Sequence, residues 1–326
     1  MRGIRSVSII CLSACLPVAI NGAEPRASLP LDATPGTHFL AIKSGGIDRF
    51  ANVHVPTGFK SGTMLPLVVV LHGLRDGTFA LDNNGWAAKS DKEGFIALAP
   101  EGFAPPGQDP NARTQFWNYD QSNTGVHHGD DVTFIGDVLH LLKTTLPYDE
   151  ARIFCVGEGK GGSMAFRLVD TLSERIAALG VVSGKMTLQN PRPTKPIPTL
   201  FIVGTSNPQM PIDGGVLTFP VAVKTRTEPP INEFLTRWAK GLGCDVHPNR
   251  CADMEMKGAE CYEYPSSAKG PTLKVIYIKG HGAQWPGGRA GAEAAFEDVF
   301  GPVASTVNAT DVLWDFFKQY NTRSFE

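Results

Sequence analysis

The glycine-dense segment Gly157–Gly162 has the residue spacing most typical of a catalytic site. It follows an apolar run that ends at Val156, and helical apolar spacing begins at Gly161. A strand, a tight turn and a helix in that order form a nucleophile elbow, whose pattern G-x-S-x-G places a serine at the turn. Here the pattern is Gly157-Glu158-Gly159-Lys160-Gly161. Gly159 therefore stands where the serine is expected, and it has no side chain that could attack a carbonyl.

Two later loops follow apolar runs and carry polar residues that could complete such a site. Asn207 follows the run that ends at Val203, at the place of an acid that would orient a histidine. Its amide cannot carry the charge that stabilises an imidazolium. His281 lies just past the last apolar run and is the candidate base, with simple loop scaffolding as the alternative.

Other residues near the turn offer alternative chemistry. Ser163 also has small neighbours at the right spacing, but it would lie about one turn into the helix, where packing is the ordinary role. Asp213 is an alternative acid, and Cys155 is expected to be an inert buried thiol inside a strand. Glu158 could steer a water molecule together with His281, but an exposed carboxylate is the ordinary explanation. The glycines do not have the G-x-G-x-x-G spacing of a dinucleotide site.

The rest of the chain predicts the elements that position these loops. Near-continuous apolar runs typical of buried strands cover Arg49–Val55, Leu65–Leu71, Gly94–Ala99, Arg152–Val156, Ala178–Val182, Thr199–Val203 and Thr272–Ile278. Helical spacing covers Asp130–Thr145, Gly161–Ile176, Ile231–Leu242 and Ala309–Tyr320. The alternation predicts an α/β fold with a mostly parallel central sheet and helices on both faces. Functional residues in such folds gather at the carboxyl ends of the strands.

The first residues predict export. Basic residues, an apolar run and small residues follow one another over residues 1–23, as in a secretory signal peptide. Residues 24–36 are expected to form an exposed leader and residues 37–326 a single domain. The protein is then secreted or periplasmic, and lipid anchoring through Cys15 is the alternative.

Composition limits the classes of partner. The chain has 326 residues and a formal net charge of −2, with no basic run, which argues against nucleic acid and anionic membranes as partners. No membrane span and no cofactor are predicted, and the oligomeric state is left open. Export permits disulfides, and Cys244 with Cys261 is the predicted pair, although sequence alone does not fix the pairing with Cys251 present. The cysteine spacings do not match a zinc site.

These motifs, taken in order, resemble the secreted polyhydroxybutyrate depolymerase-like and feruloyl esterase-like α/β-hydrolases. The likeness runs from about Arg49 to Tyr320 and includes Leu71-His72-Gly73, residues 86–100, Trp117-Asn118, residues 129–134, the glycine-dense turn, Gly204-Thr205, residues 285–288 and residues 313–317.

The resemblance implies the α/β-hydrolase fold and serine esterase activity on polyesters, short acyl esters or feruloyl esters. It places the nucleophile at Gly159, the acid at Asn207 and the base at His281, with an oxyanion hole from the backbone N–H groups of Leu74 and Lys160. The chain departs from the family in having three residues between His281 and Trp-Pro-Gly, where the family has one. We therefore expect a catalytically impaired homologue that binds an ester-bearing small molecule, polymer or glycan. An active carboxylic-ester hydrolase with an unrecognised nucleophile is the alternative.

Overall fold

The computed structural model describes residues 33–73, 77–103, 115–120, 129–219, 224–252, 254, 256–266, 270–289, 297–304 and 307–324. The predicted signal peptide, Cys15 and most of the predicted leader lie outside these residues.

A ten-stranded sheet forms the centre of the described part. Its strands are β1 (Gly36–Ser44), β2 (Ile47–Val55), β3 (Leu65–Leu71), β4 (Ile96–Pro100), β5 (Tyr148–Glu158), β6 (Ala178–Val182), β7 (Thr199–Gly204), β10 (Asn249–Arg250), β11 (Ala259–Tyr264) and β12 (Leu273–Ile278), while β8 (Gly215–Phe219) and β9 (Lys224–Glu228) pair with each other. The spatial order is β1-β2-β4-β3-β5-β6-β7-β12-β11-β10. The six strands from β4 to β12 in that order are parallel, and antiparallel strands extend both edges.

The described helices lie between these strands. They are α1 (Ala80–Asn83), α2 (Trp86–Glu93), α3 (Asp131–Thr145), α4 (Gly159–Leu172), α5 (Ile231–Gly241), α6 (Glu297–Phe300) and α7 (Ala309–Phe317). Among the described residues, no helix has both the length and the apolar composition that crossing a bilayer requires.

Continuous apolar strands allow the sheet to be buried on both faces. In β3, Leu67, Val69 and Leu71 belong to one apolar core, which also contains residues of α3, α4 and α5. The alternating residues Val68 and Val70 belong to a second core, which contains residues of α2 and α7. Successive side chains of a strand point to opposite faces, so one apolar run supplies both cores. The prediction of a mostly parallel sheet covered on both faces is confirmed.

Two adjacent aspartates fix the start of α3. Asp130 is the N-cap, and its carboxylate accepts hydrogen bonds from the backbone N–H groups of Val132 and Thr133. Asp131 is 1% exposed and forms an ion pair with the buried Arg49 of β2 at 2.6 Å. Its other oxygen accepts a hydrogen bond from the backbone N–H of Asn118 at 2.6 Å. The pair joins the helix to the strand and is fully removed from water.

The predicted disulfide is wrong. Cys261 is bonded to Cys251, and their Cα atoms lie 5.3 Å apart. The backbone N–H of Cys251 also donates to the Cys261 carbonyl at 2.9 Å, which brings the two side chains together. Cys244 is a buried free thiol that donates to the carbonyl of Pro271 at 3.2 Å. Burial raises its pKa to about 11.

Candidate active site

The carboxyl edge of the parallel strands brings five chain segments side by side. β3 ends before His72-Gly73, β5 before Gly159, and β6 before Ser183. β7 leads into the loop that contains Asn207, and β12 leads into the loop that contains His281. Because β3, β5, β6, β7 and β12 are neighbours in this order, all five segments lie along one edge. The residues singled out by the sequence therefore share one end of the sheet, as parallel topology requires.

The turn between β5 and α4 has the backbone of a nucleophile elbow. A Cβ on Gly157 would lie 2.3 Å from the carbonyl oxygen of Gly161, and a Cβ on Gly161 would lie 2.2 Å from that of Leu71. Both positions therefore require glycine. Gly159 has a φ of +51°, and a Cβ built on it meets no atom within 4 Å in the described part of the chain, apart from its chain neighbours and its own helix. The turn thus presents residue 159 to open space, in the backbone conformation that a strained elbow residue adopts.

The residues flanking Gly159 have their own partners. The carboxylate of Glu158 accepts a hydrogen bond from the side-chain amide of the buried Asn84 at 3.2 Å. The ammonium of Lys160 donates to the Tyr119 hydroxyl at 2.5 Å and lies 4.7 Å from the centre of that ring. Lys160 is the second residue of α4, where backbone N–H groups have no partner within the helix. Leu74, the other predicted oxyanion donor, lies outside the described residues.

Asn207 is buried, and only the oxygen of its side-chain amide has hydrogen-bond partners among the described residues. Its Oδ1 accepts hydrogen bonds from the backbone N–H groups of Gln209 at 2.9 Å and Met210 at 3.1 Å. Its Nδ2 is sealed from solvent and has no hydrogen-bond partner among the described residues. A carboxylate at this position would offer two acceptor oxygens. One oxygen would hold the loop as Oδ1 does, and the other could accept a hydrogen bond from a donor such as a histidine N–H. The orphaned nitrogen is therefore what an amide in place of an acid would leave behind.

His281 is fully buried, and both of its ring nitrogens are engaged by its own region of the chain. The backbone N–H of Ala304 donates to Nδ1 at 3.0 Å, so Nδ1 is the acceptor and the proton lies on Nε2. Nε2 donates to the carbonyl of Gln284 at 2.9 Å. Burial lowers the pKa of His281. No lone pair remains to take a proton from a nucleophile, so the geometry disagrees with the predicted role as base and fits the alternative of loop scaffolding.

Two of the three alternative catalytic groups, Ser163 and Cys155, are buried. Ser163 is 4% exposed, and its hydroxyl lies 3.3 Å from the Gly159 carbonyl to which it donates, one turn back along α4. Asp213 is exposed on the loop after β7. Cys155 is fully buried in β5, and burial raises the pKa of its thiol. These contacts do not bring Ser163 or Cys155 to the open space above Gly159.

His72 holds the β3 loop to the loop after β4. Its Nδ1 donates to the Gly73 carbonyl at 2.8 Å, and its Nε2 accepts from the backbone N–H of Gly102 at 2.9 Å. The ring lies 4.8 Å from that of Trp117, whose Nε1 donates to the His72 carbonyl at 2.9 Å. Burial lowers the pKa of His72 to about 4, so the ring is neutral at pH 7. The His-Gly and Trp-Asn motifs thus form one clamp beside the elbow.

Ser183 lies at the same edge of the sheet, directly after β6, and the sequence reasoning did not single it out. Its φ is +52°, and among the described residues it is the only non-glycine residue with a positive φ. The available signal was the pair Ser183-Gly184 at the end of an apolar strand run, which marks a turn at the functional edge of a sheet.

Comparison with known proteins identifies esterases as relatives, although no family model matches the chain. The chain is 26% identical to "Putative esterase NocK" of Nocardia uniformis over 321 residues, which cover 92% of this chain and 87% of that protein. It is 31% identical to "Probable feruloyl esterase C" of Aspergillus niger over 208 residues, covering 64% and 62%. It is 22% identical to the bifunctional acetylxylan esterase/xylanase XynS20E of Neocallimastix patriciarum over 245 residues, but spans only 31% of its length.

Solved esterase structures share the fold. The acetyl xylan esterase from Aspergillus awamori superposes with a TM-score of 0.54 at 16% identity, covering 81% of this chain and 99% of that chain. A crystal structure described as native pOPH gives a TM-score of 0.55 at 14% identity, covering 90% of each chain. The predicted α/β-hydrolase fold is confirmed. The shared fold and these curated relatives support an esterase-like family for this chain.

Proposed function

We propose that this protein is an exported, catalytically impaired esterase homologue whose cleft binds an ester-bearing small molecule, polymer or glycan. The observation that carries the proposal is Gly159: the residue at the turn after β5, presented to open space with a φ of +51°, has no side chain. An esterase needs a nucleophile at this place to form an acyl-enzyme.

Two residues besides Gly159 support the proposal that catalysis is impaired. Asn207 offers an amide where a carboxylate would stabilise a charged histidine, and His281 has no free ring nitrogen. Three separate requirements of the serine hydrolase mechanism are therefore unmet in these residues.

Retention of a binding cleft is supported by the same geometry. Among the described residues, no atom outside the adjoining chain and helix lies within 4 Å of the Cβ position of Gly159, so the place of the missing side chain is not filled by another described group. The backbone N–H of Lys160 stays at the start of α4, where it can donate to a carbonyl oxygen. The names of the relatives suggest the ligand class: feruloyl and acetylxylan esterases point to carboxylic esters on plant polysaccharides.

A fluorophosphonate probe, which labels activated serines, tests the impaired state. We expect purified wild-type protein to show no stoichiometric label and to hydrolyse p-nitrophenyl acetate at no more than on the order of 10³ times the rate in water, because binding and an oxyanion remnant survive triad loss. An active serine esterase is the positive control. Stoichiometric labelling would overturn the proposal, and peptide mapping would then identify the nucleophile of an active carboxylic-ester hydrolase.

Ligand binding is tested by calorimetric titration with methyl ferulate, a soluble feruloyl ester. Because turnover is absent, the intact ester should bind and be recovered unchanged. Failure of wild-type protein to bind at millimolar concentration would contradict the retained cleft.

Export is tested by the N-terminus of the protein recovered from the medium or periplasm. Cleavage after Ala23 gives a chain that begins at Glu24. A lipid-modified chain that begins at Cys15 would favour the lipoprotein alternative, and an uncleaved Met1 in the cytoplasm would contradict export.

A further inference from the structure

Ser183 and Gly159 occupy equivalent places on neighbouring strands. Val182 of β6 pairs with Glu158 of β5 in parallel register, so Ser183 and Gly159 are the next residue of each strand. Their φ values are +52° and +51°. The two strands therefore each end in a residue with a left-handed φ, side by side at the carboxyl edge of the sheet.

The direction of the Ser183 side chain follows from this equivalence. Residues at paired positions of adjacent parallel strands, here with nearly equal φ values, project their Cα–Cβ bonds toward the same face of the sheet. At Gly159 that direction leads into the space where nothing lies within 4 Å. Ser183 is 8% exposed, and its hydroxyl is neither sealed from solvent nor hydrogen-bonded to another described residue.

The turn itself does not require a serine. A Cβ on Gly184 would lie 2.6 Å from the Cα of Gly162, so β6 must turn here to let α4 approach closely. Glycine would make that turn without strain, whereas an L-residue with positive φ crowds its Cβ against the backbone. Strained residues of this kind cluster at ligand-binding sites.

We propose that Ser183 is a ligand-binding residue whose hydroxyl makes a hydrogen bond to an ester or hydroxyl oxygen of a molecule held above Gly159. This inference rests on the proposed binding of esters in the cleft. The residue acts by contact and not as a replacement nucleophile. Lys185 is paired with Glu228 and both nitrogens of His281 are engaged, so neither is free to take the serine proton.

Three variants separate the hydroxyl from the backbone turn. Ser183→Gly removes the hydroxyl and accepts the positive φ, Ser183→Ala removes the hydroxyl and keeps the strain, and Ser183→Asn accepts the φ and keeps a polar group. Each is titrated with methyl ferulate by calorimetry, and its melting temperature is measured beside that of the wild type. We expect the dissociation constant to rise about two- to tenfold in the glycine and alanine variants, as for loss of one neutral hydrogen bond, and to recover in the asparagine variant.

The outcomes distinguish this inference from the function on which it rests. If wild-type protein binds no methyl ferulate, the proposed function fails and takes this inference with it. If the wild type and the stable Ser183→Gly variant bind equally well, only the role of Ser183 is overturned. Weakened binding in all three variants, in step with lower melting temperatures, would show a structural role and overturn it as well.

Discussion

At Gly159 the surrounding space would accept a side chain, whereas the backbone conformation disfavours one. A Cβ at this position would meet no atom of the described residues within 4 Å, apart from its chain neighbours and its own helix, so the first atom of a side chain has room. The backbone, with a φ of +51°, is a conformation that costs an L-residue about 1–2 kcal/mol and glycine nothing. An active elbow must tolerate this strain, and glycine releases it. Glycine at position 159 therefore spares the turn the strain that a serine would carry there.

Gly159→Ser should fold, lose about 1 kcal/mol of unfolding free energy, and gain less than about tenfold in p-nitrophenyl acetate hydrolysis. The small gain is expected because Asn207 and the engaged His281 still provide no acid and no base. Urea denaturation and initial rates measure the two effects. Gly159→Ala is the matched control, with the same strain and no hydroxyl. Recovery of family-like rates by the serine alone would show that the acid and base were misassigned.

The sequence allowed some of these residues to be predicted and not others. Gly159 and Asn207 were informative because a glycine has no nucleophile and an amide carries no charge, whatever the surrounding structure. The residue type of His281 was not informative. The hydrogen bonds of its ring depend on the backbone groups of Gln284 and Ala304, and residue types do not encode such contacts. Ser183 was missed because a positive φ at a serine leaves no trace in composition or periodicity.

The adjacent residues Asp130 and Asp131 connect α3 to the sheet in different ways, although both are carboxylates in the same turn. Asp130 is on the surface and caps the helix. Asp131 is buried against Arg49, whose guanidinium also lies 4.1 Å from the ring of Phe134. Burial raises the pKa of Asp131, opposed by the charge of Arg49.

Asp131→Ala should lower the unfolding free energy by about 3–5 kcal/mol, because Arg49 would remain buried without its partner. Asp130→Ala, the neighbouring control, should cost about 1 kcal/mol, the usual effect of losing an N-cap. Urea unfolding followed by circular dichroism measures both. Equal losses in the two variants would mean that the Arg49 pair does not hold the helix on the strand.

Strands could be predicted from the sequence where burial on both faces requires a continuous run of apolar residues. β3 and β7 are covered on both faces, and their apolar runs matched the observed strands within about one residue. β1 and the pair β8–β9 were missed because they lie at an edge or outside the main sheet, where polar and partly exposed residues break the apolar runs. Backbone pairing can stabilise such strands with little hydrophobic patterning. The disulfide prediction failed for a related reason, since Cys251 directly follows β10 and Cys261 lies in β11, two edge strands that the pattern did not reveal.

For the molecule as a whole, two buried histidines make stability depend on pH. His72 and His281 are neutral in the folded protein, since burial lowers the pKa of His72 to about 4 and also lowers that of His281. In the unfolded chain each regains a pKa of about 6.5 and binds a proton more readily. Their contribution to stability is therefore complete above pH 6.5 and decreases as the pH falls toward the folded pKa.

We expect the unfolding free energy to fall by about 2 kcal/mol between pH 7 and pH 5 from His72 alone, with His281 acting in the same direction. Most carboxylates titrate below this window, so it isolates the histidines. Urea unfolding at pH 7, 6 and 5 gives the slope. His72→Gln, which keeps a donor and an acceptor but cannot titrate, should be less stable at pH 7 and should show a flatter slope. A variant with the slope of the wild type would place the titrating group elsewhere, and the neutral His72 clamp beside the elbow would lose its support.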